Sequence, residues 1–231
     1  MKLKCIGSGS SGNCYLLSTD TETLILDCGI PIMEIKKGLN FDLSKVVGCV
    51  VTHDHADHSK SVNDLENMGI RVWKPYKYEV EQNRVQRRYF GSFTVRNFDV
   101  PHDDEPCCGF IIENSDGERL LYATDFEYIK YSFRKWKIHY MLIEANYQKQ
   151  YVNTEESKSD HVLKGHAELE TTIGIVKDNL DRLKTVILCH LSKGNANPEE
   201  CKVEVEKVAK FADVHIAEKG LEVDLKLVPF I

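Results

Sequence analysis

Three histidines and two aspartates occur within six residues of the chain: His53, Asp54, His55, Asp57 and His58. They follow the apolar run 46–51, which has the composition of a buried strand. Imidazole and carboxylate groups suit zinc, iron or manganese, and few solvated surfaces need them at this density. The pattern predicts a metal site in a loop after a strand. The alternative is a solvated polar turn whose histidines cap a helix.

The spacing of these side chains allows one loop to serve two ions. His53 and His55 can point to the same side of the loop, whereas Asp57 and His58 fall at the start of a predicted helix over 59–68. We therefore expect His53 and His55 at one ion, with Asp57 and His58 at its neighbour.

One loop cannot complete two coordination spheres, and three more candidates come at the ends of predicted strands: His102, Asp125 and His190. Strand ends project side chains from a rigid scaffold into a common rim, where a metal site is easily organised. Each of these residues alone could be an ordinary surface or core side chain. Together, at strand ends and after the histidine loop, they are expected to complete a two-metal site.

The elements that must position these residues are strand-rich stretches interrupted by helices. Predicted strands cover 3–7, 14–17, 23–29, 46–51, 70–73, 93–98, 108–113, 119–125, 140–144, 185–189, 214–217 and 221–227. Predicted helices cover 32–38, 59–68, 167–179 and 199–212. This order favours an α/β fold of two sheets with helices outside, a four-layer αββα sandwich. A length of 231 residues without a linker or tandem repeat predicts one domain over 1–231.

A glycine- and serine-rich segment at 7–12 matches the GxGxxG dinucleotide fingerprint. That fingerprint requires a helix to follow, whereas Asn13 here leads into a predicted strand. We therefore interpret the segment as a connector between strands. It is either a flexible turn or a source of N–H and hydroxyl donors for an anion near the metals.

Composition limits the class of protein. The net charge of −6 and the pI of about 5.9 disfavour a non-specific grip on long nucleic acid, although a local basic patch stays compatible. The eight cysteines lack CxxC spacing and read as core residues of a reducing compartment. Without a signal-peptide pattern or a membrane-length apolar run, a cytoplasmic protein without a membrane partner is expected. A homodimer is left open.

The segment His53-x-His55-x-Asp57-His58 after an apolar strand resembles the HxHxDH signature of the metallo-β-lactamase fold. Further segments resemble the YycJ/WalJ-type subgroup, which lies near RNase Z and small phosphodiesterases. They are 7–13, 100–103, 123–125, 142–146, 165–167 and 190–192. The subgroup's usual Gly-His-Leu-Ser is replaced here by Gly165-His166-Ala167-Glu168.

The resemblance implies roles for the remaining residues. His102 would complete the first ion's histidines, Asp125 would bridge both ions, and His190 would close the second. Asp27 would support the metal-binding histidines from behind, as such ligands generally require. In the resembled phosphodiesterases a histidine outside the metal shell protonates the leaving oxygen or stabilises the transition state. That role would fall to His166, with His161 nearby as the alternative.

The resemblance further implies two divalent metal ions, zinc first and manganese or iron as alternatives. Two ions about 3.5–4 Å apart can share a water and lower its pKa enough to supply hydroxide near neutral pH. Asp57 could orient that hydroxide or take its proton. The residues that would bind the substrate are not predicted.

The leading hypothesis is a metal-dependent phosphodiesterase that cuts nucleic acid or nucleotides, exonuclease-like. A cyclic-mononucleotide phosphodiesterase, of the kind some phages use against nucleotide-signalling defence, is the first alternative. A thioester hydrolase resembling glyoxalase II is the second. A flavodiiron-type redox protein would need a flavin domain, and an inactive metal-binding partner protein is the non-enzyme hypothesis. Cations interleaved with aromatics over 128–137 could hold bases and phosphates, but an amphipathic helix with a solvated face is favoured.

Overall fold

The computed structural model describes residues 1–77, 86–103, 105–152 and 163–226. The strands are β1 (Lys2–Gly7), β2 (Cys14–Ser18), β3 (Thr23–Leu26), β4 (Val46–Val50), β5 (Val72–Trp73), β6 (Arg87–Phe90), β7 (Phe93–His102), β8 (Glu105–Glu113), β9 (Arg119–Ala123), β10 (Tyr140–Glu144), β11 (Thr185–Cys189), β12 (Asp213–Ile216) and β13 (Glu222–Asp224). The α-helices that lie wholly among the described residues are α1 (Ile32–Gly38), α2 (Ala56–Ser59), α3 (Val62–Asn67), α4 (Leu169–Lys177) and α5 (Pro198–Val208).

The strands form two mixed sheets. The first has the order β13-β1-β2-β3-β4-β5, antiparallel from β13 to β3 and parallel from β3 to β5. The second has the order β12-β11-β10-β9-β8-β7-β6, antiparallel from β6 to β9 and parallel from β9 to β12. Each sheet therefore combines a hairpin-built part with a part that needs crossover connections.

The core follows the two-residue period of the strands. Along β10, Tyr140 and Leu142 pack into the cluster between the sheets, whereas Met141 and Ile143 pack into the cluster under α4 and α5. All four side chains are fully buried. A strand covered on both faces must be apolar throughout, which explains the unbroken apolar run in the sequence.

Helices cover the outer faces of the sheets. The buried apolar residues of α4 and α5 belong to the cluster on the outer face of the second sheet. Those of α1 and α3 belong to the larger cluster, which surrounds the first sheet and also fills the space between the sheets. The architecture is the αββα sandwich of the α/β class, as the sequence predicts. No helix among the described residues is long and apolar enough to cross a membrane.

Two local predictions were wrong. The helix expected over 59–68 is split into α2 and α3, because the chain turns at Ser61. The amphipathic helix expected within 128–137 is not formed, and only a 3₁₀ turn occurs at Arg134–Trp136. Here the aromatic side chains set the path of the chain: Phe133 is buried, with its ring 4.9 Å from that of Phe98 on β7. Packing onto the sheet replaces the helical periodicity.

The carboxyl ends of several strands from both sheets lie at one common edge. β1, β3 and β4 run parallel to one another in the first sheet, as do β7, β9, β10 and β11 in the second. Three residues just beyond these ends have left-handed backbones: Asp27 (φ 55°), Asp125 (φ 52°) and His190 (φ 51°). Non-glycine residues adopt this conformation at a cost of about 1–2 kcal/mol, and such strain is concentrated at functional sites.

Candidate metal centre

The first ligand group joins the histidine loop to the end of β7. His53, His55 and His102 each place one ring nitrogen within 4.8 Å of the other two. His102 Nε2 lies 3.3 Å from His55 Nδ1, and the buried His53 Nε2 has no hydrogen-bond partner among the described residues. An unpartnered buried nitrogen beside two other imidazoles is what a metal ion would satisfy.

The protonation of this group also suits a metal. His102 Nδ1 lies 2.6 Å from the carbonyl oxygen of Gly165, which can only accept, so Nδ1 carries the hydrogen and Nε2 is left with a lone pair. Burial lowers the pKa of His102. Burial, followed by the neighbouring His58, lowers the pKa of His53 well below its usual value. Neutral imidazole is the form that binds metals.

The second ligand group contains two carboxylates and two histidines: Asp57, His58, Asp125 and His190. His58 Nε2 lies 2.6 Å from Asp125 Oδ2 and 3.6 Å from Asp57 Oδ2, and His190 Nε2 lies 3.9 Å from Asp57 Oδ2. The ligand atoms of this group also lie within 4.8 Å of one another. Mixed imidazole and carboxylate donors at this spacing could hold a divalent cation.

Asp125 lies between the two groups. Its Oδ2 atom is 2.6 Å from His58 Nε2 and 3.5 Å from His53 Nε2. Its burial disfavours the charged carboxylate, but His190 and His58 outweigh burial and lower the pKa of Asp125 well below its usual value. A carboxylate so placed could contact cations in both groups.

Asp27 fixes the orientation of His58. Its buried carboxylate accepts hydrogen bonds from the backbone N–H of Thr52 at 2.8 Å, from the Thr52 hydroxyl and from the hydroxyl of Tyr122. His58 Nδ1 lies 2.7 Å from Asp27 Oδ2, which leaves His58 Nε2 directed at the second group. Burial alone would lower the pKa of His58, yet Asp125 and Asp27 raise it well above its usual value.

The backbone of the metal loop is held by two neighbouring segments. Asn13 donates its N–H to the Asp57 carbonyl at 2.7 Å, and Cys28 donates to the His58 carbonyl at 2.8 Å. A Cβ atom at Gly29 would lie 1.7 Å from the Asp57 carbonyl oxygen. Position 29 therefore requires glycine, because only its backbone can approach Asp57 so closely.

His166 lies beside the second group, held by a carboxylate that our sequence analysis did not assign to the site. His166 Nδ1 is 2.8 Å from Glu144 Oε1 and 3.1 Å from Asp125 Oδ1. Glu144 is fully buried at the end of β10 and accepts a hydrogen bond from the N–H of Ala167 at 3.0 Å. The available signal was a carboxylate ending an otherwise apolar strand. His161 lies outside the described residues.

The charges around His166 favour its protonated form. Burial lowers the pKa of His166, but Glu144 and Asp125 together outweigh burial and raise it to about 10. A third group, Asp125, Glu144, His166 and His190, also brings its ligand atoms within 4.8 Å. Because Asp125 and His190 are shared, this group is an alternative to the second group and does not add a separate site.

A cavity of about 510 Å³ opens above these residues. His55, Asp57, Asp125 and His166 face it from one side. The rest of its wall includes the glycine-serine segment 8–11 and the segment 191–194. The unpartnered His53 nitrogen, the neutral imidazoles of His53 and His102 and the buried carboxylates fit divalent metal ions at the base of this cavity.

Residues 7–166 match the sequence model of the metallo-beta-lactamase superfamily. The chain belongs to this superfamily. The family expected from the HxHxDH segment is therefore confirmed. The superfamily consists mostly of metal-dependent hydrolases, and membership implies bound divalent metal ions, for which the His and Asp groups are the candidates.

Two relatives carry the names that the sequence resemblance anticipates. Exodeoxyribonuclease YycJ of Bacillus anthracis is 25% identical over 144 residues, covering 54% of each chain, so this chain spans about half the length of that relative. Exodeoxyribonuclease WalJ of Streptococcus pneumoniae is 23% identical over 272 aligned positions, covering 98% of this chain and 93% of WalJ.

Solved structures share the fold over almost the whole chain. YhfI from Bacillus subtilis, a metallo-beta-lactamase fold protein, has a TM-score of 0.75 at 18% identity, covering 96% of this chain and 99% of YhfI. The short form of human tRNase Z has a TM-score of 0.66 at 15% identity, covering 98% and 100%. A diphosphatase of the PhnP family has a TM-score of 0.69 at 15% identity, covering 97% and 98%. At these identities the likeness shows the fold.

Proposed function

We propose that this protein is a dinuclear metal-dependent phosphodiesterase that removes nucleotides from DNA. The arrangement of two ligand groups around one shared aspartate, Asp125, carries the proposal. The names of the two exodeoxyribonuclease relatives support DNA as the substrate class.

In this proposal His53, His55 and His102 would hold one ion, Asp57, His58 and His190 would hold the second, and Asp125 would serve both. Bound divalent ions lower the pKa of water and neutralise charge on a phosphoryl oxygen. Zinc is proposed first because five of the seven ligands are imidazoles, which zinc binds well. Manganese and iron accept the same donors and are the forms to compare.

The chain's own residues would guide the protons. The Asp57 side chain is about one-quarter exposed and lines the cavity, so its carboxylate could orient a water or accept its proton. His166 is held in its protonated form by Glu144 and could donate a proton to the leaving oxygen. With Nδ1 held by Glu144, Nε2 is the atom that would donate.

The proposal is tested by loading the protein with zinc, manganese or iron and supplying labelled substrates. The panel contains end-labelled single- and double-stranded DNA, RNA, cyclic mononucleotides, bis-p-nitrophenyl phosphate and a glutathione thioester. Stepwise release of nucleotides from DNA is expected. Turnover of cyclic mononucleotides alone, or of the thioester alone, would replace the proposed substrate. If no substrate of the panel is hydrolysed in any metal form, an inactive metal-binding protein is favoured.

Two variants test the proton donor. His166→Ala should lower kcat by about 10²- to 10⁴-fold while the metal content stays near that of the parent protein. His215→Ala is the matched control, because His215 lies on β12, outside every ligand group of the described residues. If His166→Ala leaves kcat unchanged, or if it removes an ion, the assignment to proton transfer is wrong.

A further inference from the structure

A second cavity adjoins the one above the ligand groups. The second cavity has a volume of about 440 Å³ and is lined in part by residues that also line the first: Ser8, Ser11, Leu191 and Lys193. These four residues, here termed the shared rim, lie where the two cavities adjoin. A ligand longer than the first cavity could extend across the shared rim.

Lys193 lies in a segment whose backbone is fixed on both sides. The N–H of His190 donates to the Ser8 hydroxyl at 3.0 Å, and the N–H of Ser192 donates to the carbonyl of Asn146 at 2.9 Å. Further along, Asn195 accepts a hydrogen bond through its carbonyl at 2.9 Å. The exposed Lys193 side chain therefore projects from an anchored loop at the shared rim.

The charges in the two cavities differ around this lysine. Among the described residues Lys193 forms no ion pair, and it is the one lysine or arginine that lines the first cavity. In the second cavity, Lys219 is already paired with Glu34 at 2.9 Å, and Glu218 adds another carboxylate. Among the described residues of the second cavity, Lys193 is therefore the cation without a carboxylate partner.

A third cavity, which shares His102 with the first, is acidic among its described residues. It has a volume of about 240 Å³ and is lined by Asp103, Glu105 and Glu127, with Lys164 as the one cation among its described residues. A phosphate that neighbours the reacting one would be repelled in this third cavity, because like charges raise its free energy there. The shared rim is the side on which a neighbouring phosphate gains an attractive contact.

We propose that Lys193 binds the phosphate next to the one being hydrolysed, with the exposed hydroxyls of Ser10 and Ser11 as further donors. This inference rests on the proposed phosphodiesterase function and narrows its substrate. It favours an oligonucleotide strand over a cyclic mononucleotide, which has one phosphate and leaves Lys193 unused. It also limits the specificity to one added phosphate, because the second cavity beyond the rim has one lysine, Lys219, against the two carboxylates of Glu34 and Glu218.

The test compares a dinucleoside monophosphate with the same compound carrying a 3′- or 5′-terminal phosphate. For the metal-loaded parent protein, one of the added phosphates should raise kcat/KM by about 2- to 5-fold, the range of an exposed ion pair. In Lys193→Gln this ratio should fall to about 1. On longer single strands the same variant should reduce the slope of log KM against log salt by about 0.7, the value for one phosphate contact.

Lys177→Gln is the matched control, since Lys177 is an exposed lysine on α4 outside both cavities. It should keep the parent ratio and salt slope. If the parent protein hydrolyses these substrates but neither terminal phosphate raises kcat/KM, or if Lys193→Gln keeps the effect, the role of Lys193 is refuted. If the parent protein hydrolyses none of these substrates in any metal form, the proposed phosphodiesterase function is itself refuted, and the role of Lys193 is refuted together with it.

Discussion

The two ligand groups are built differently. The first consists of three histidines, and one of them, His55, is only half-buried. The second contains two carboxylates, and its residues are held by Asp27, by the backbone of Asn13 and by Cys28. The first group is supported by single contacts, from the Gly165 carbonyl to His102 and from the Thr52 hydroxyl to His53, and none of them involves a charged side chain. The second is supported by the charged Asp27 and by two backbone hydrogen bonds. Changes behind the second group should affect one ion and spare the other.

Asp125 lies between the two groups, so its replacement should affect both groups equally. Asp125→Asn keeps the size of the side chain but removes the charge that both groups share, so metal content should fall in both. We expect activity to drop by more than about 100-fold, since losing even a residue that supports a ligand costs 10- to 100-fold. Elemental analysis together with hydrolysis of bis-p-nitrophenyl phosphate measures both effects. Two retained ions with near-parent activity would contradict the shared role.

His102→Ala is expected to weaken the first group alone. It removes one of three imidazoles, while the residues of the second group and their contacts with Asp27 stay in place. In a metal titration followed by calorimetry, one binding step should weaken by about 100-fold or more and the other should keep its affinity. Equal weakening of both steps would show that the two groups do not act independently.

Gly29→Ala should damage the second group through the backbone. The new Cβ would overlap the Asp57 carbonyl oxygen, so the metal loop must move, with a loss of about 3 kcal/mol in the free energy of unfolding. Gly174→Ala is the matched control, because position 174 is an exposed helical site with open space around it. There alanine should stabilise the protein by about 0.5–1 kcal/mol. Chemical denaturation measures both, and equal effects would contradict the close approach at Gly29.

Asp27→Asn gives the finest test of the comparison. The amide can still accept from Thr52, but it no longer carries the charge that faces His58 Nδ1. We expect the affinity for the second ion to fall by about 10-fold, while the first ion binds as before. Competition with a metal-sensitive dye resolves such a difference. A loss of affinity confined to the first ion would contradict the assignment of Asp27 to the second group.

The fold and the strand-end residues could be predicted because strand geometry is regular. Helix α1 and strands β10 and β11 have the predicted bounds, and parallel strands bring their carboxyl ends to one edge whatever the loops do. His102, Asp125 and His190 could be proposed on that ground. The left-handed backbones of Asp125 and His190, which bring these side chains together, could not be predicted, because neither position is a glycine.

What could not be predicted depends on contacts between distant segments. The need for glycine at position 29 arises only when Asp57 packs against it. In the sequence Glu144 is only the polar end of a strand, and its contact with His166 arises from the tertiary fold. The segment 128–137 has a helical pattern, but Phe133 packs against Phe98 of β7 and no helix forms there. In each case tertiary packing decides where the local sequence is neutral or misleading.

We propose above all that two metal ions share Asp125 at the common edge of the two sheets. Anomalous diffraction from crystals of the zinc- or manganese-loaded protein tests it most directly. We predict two peaks, one among His53, His55 and His102 and one among Asp57, His58 and His190, with Asp125 between them. A single peak, no peak, or a second peak enclosed by Glu144 and His166 in place of Asp57 and His58 would contradict the account.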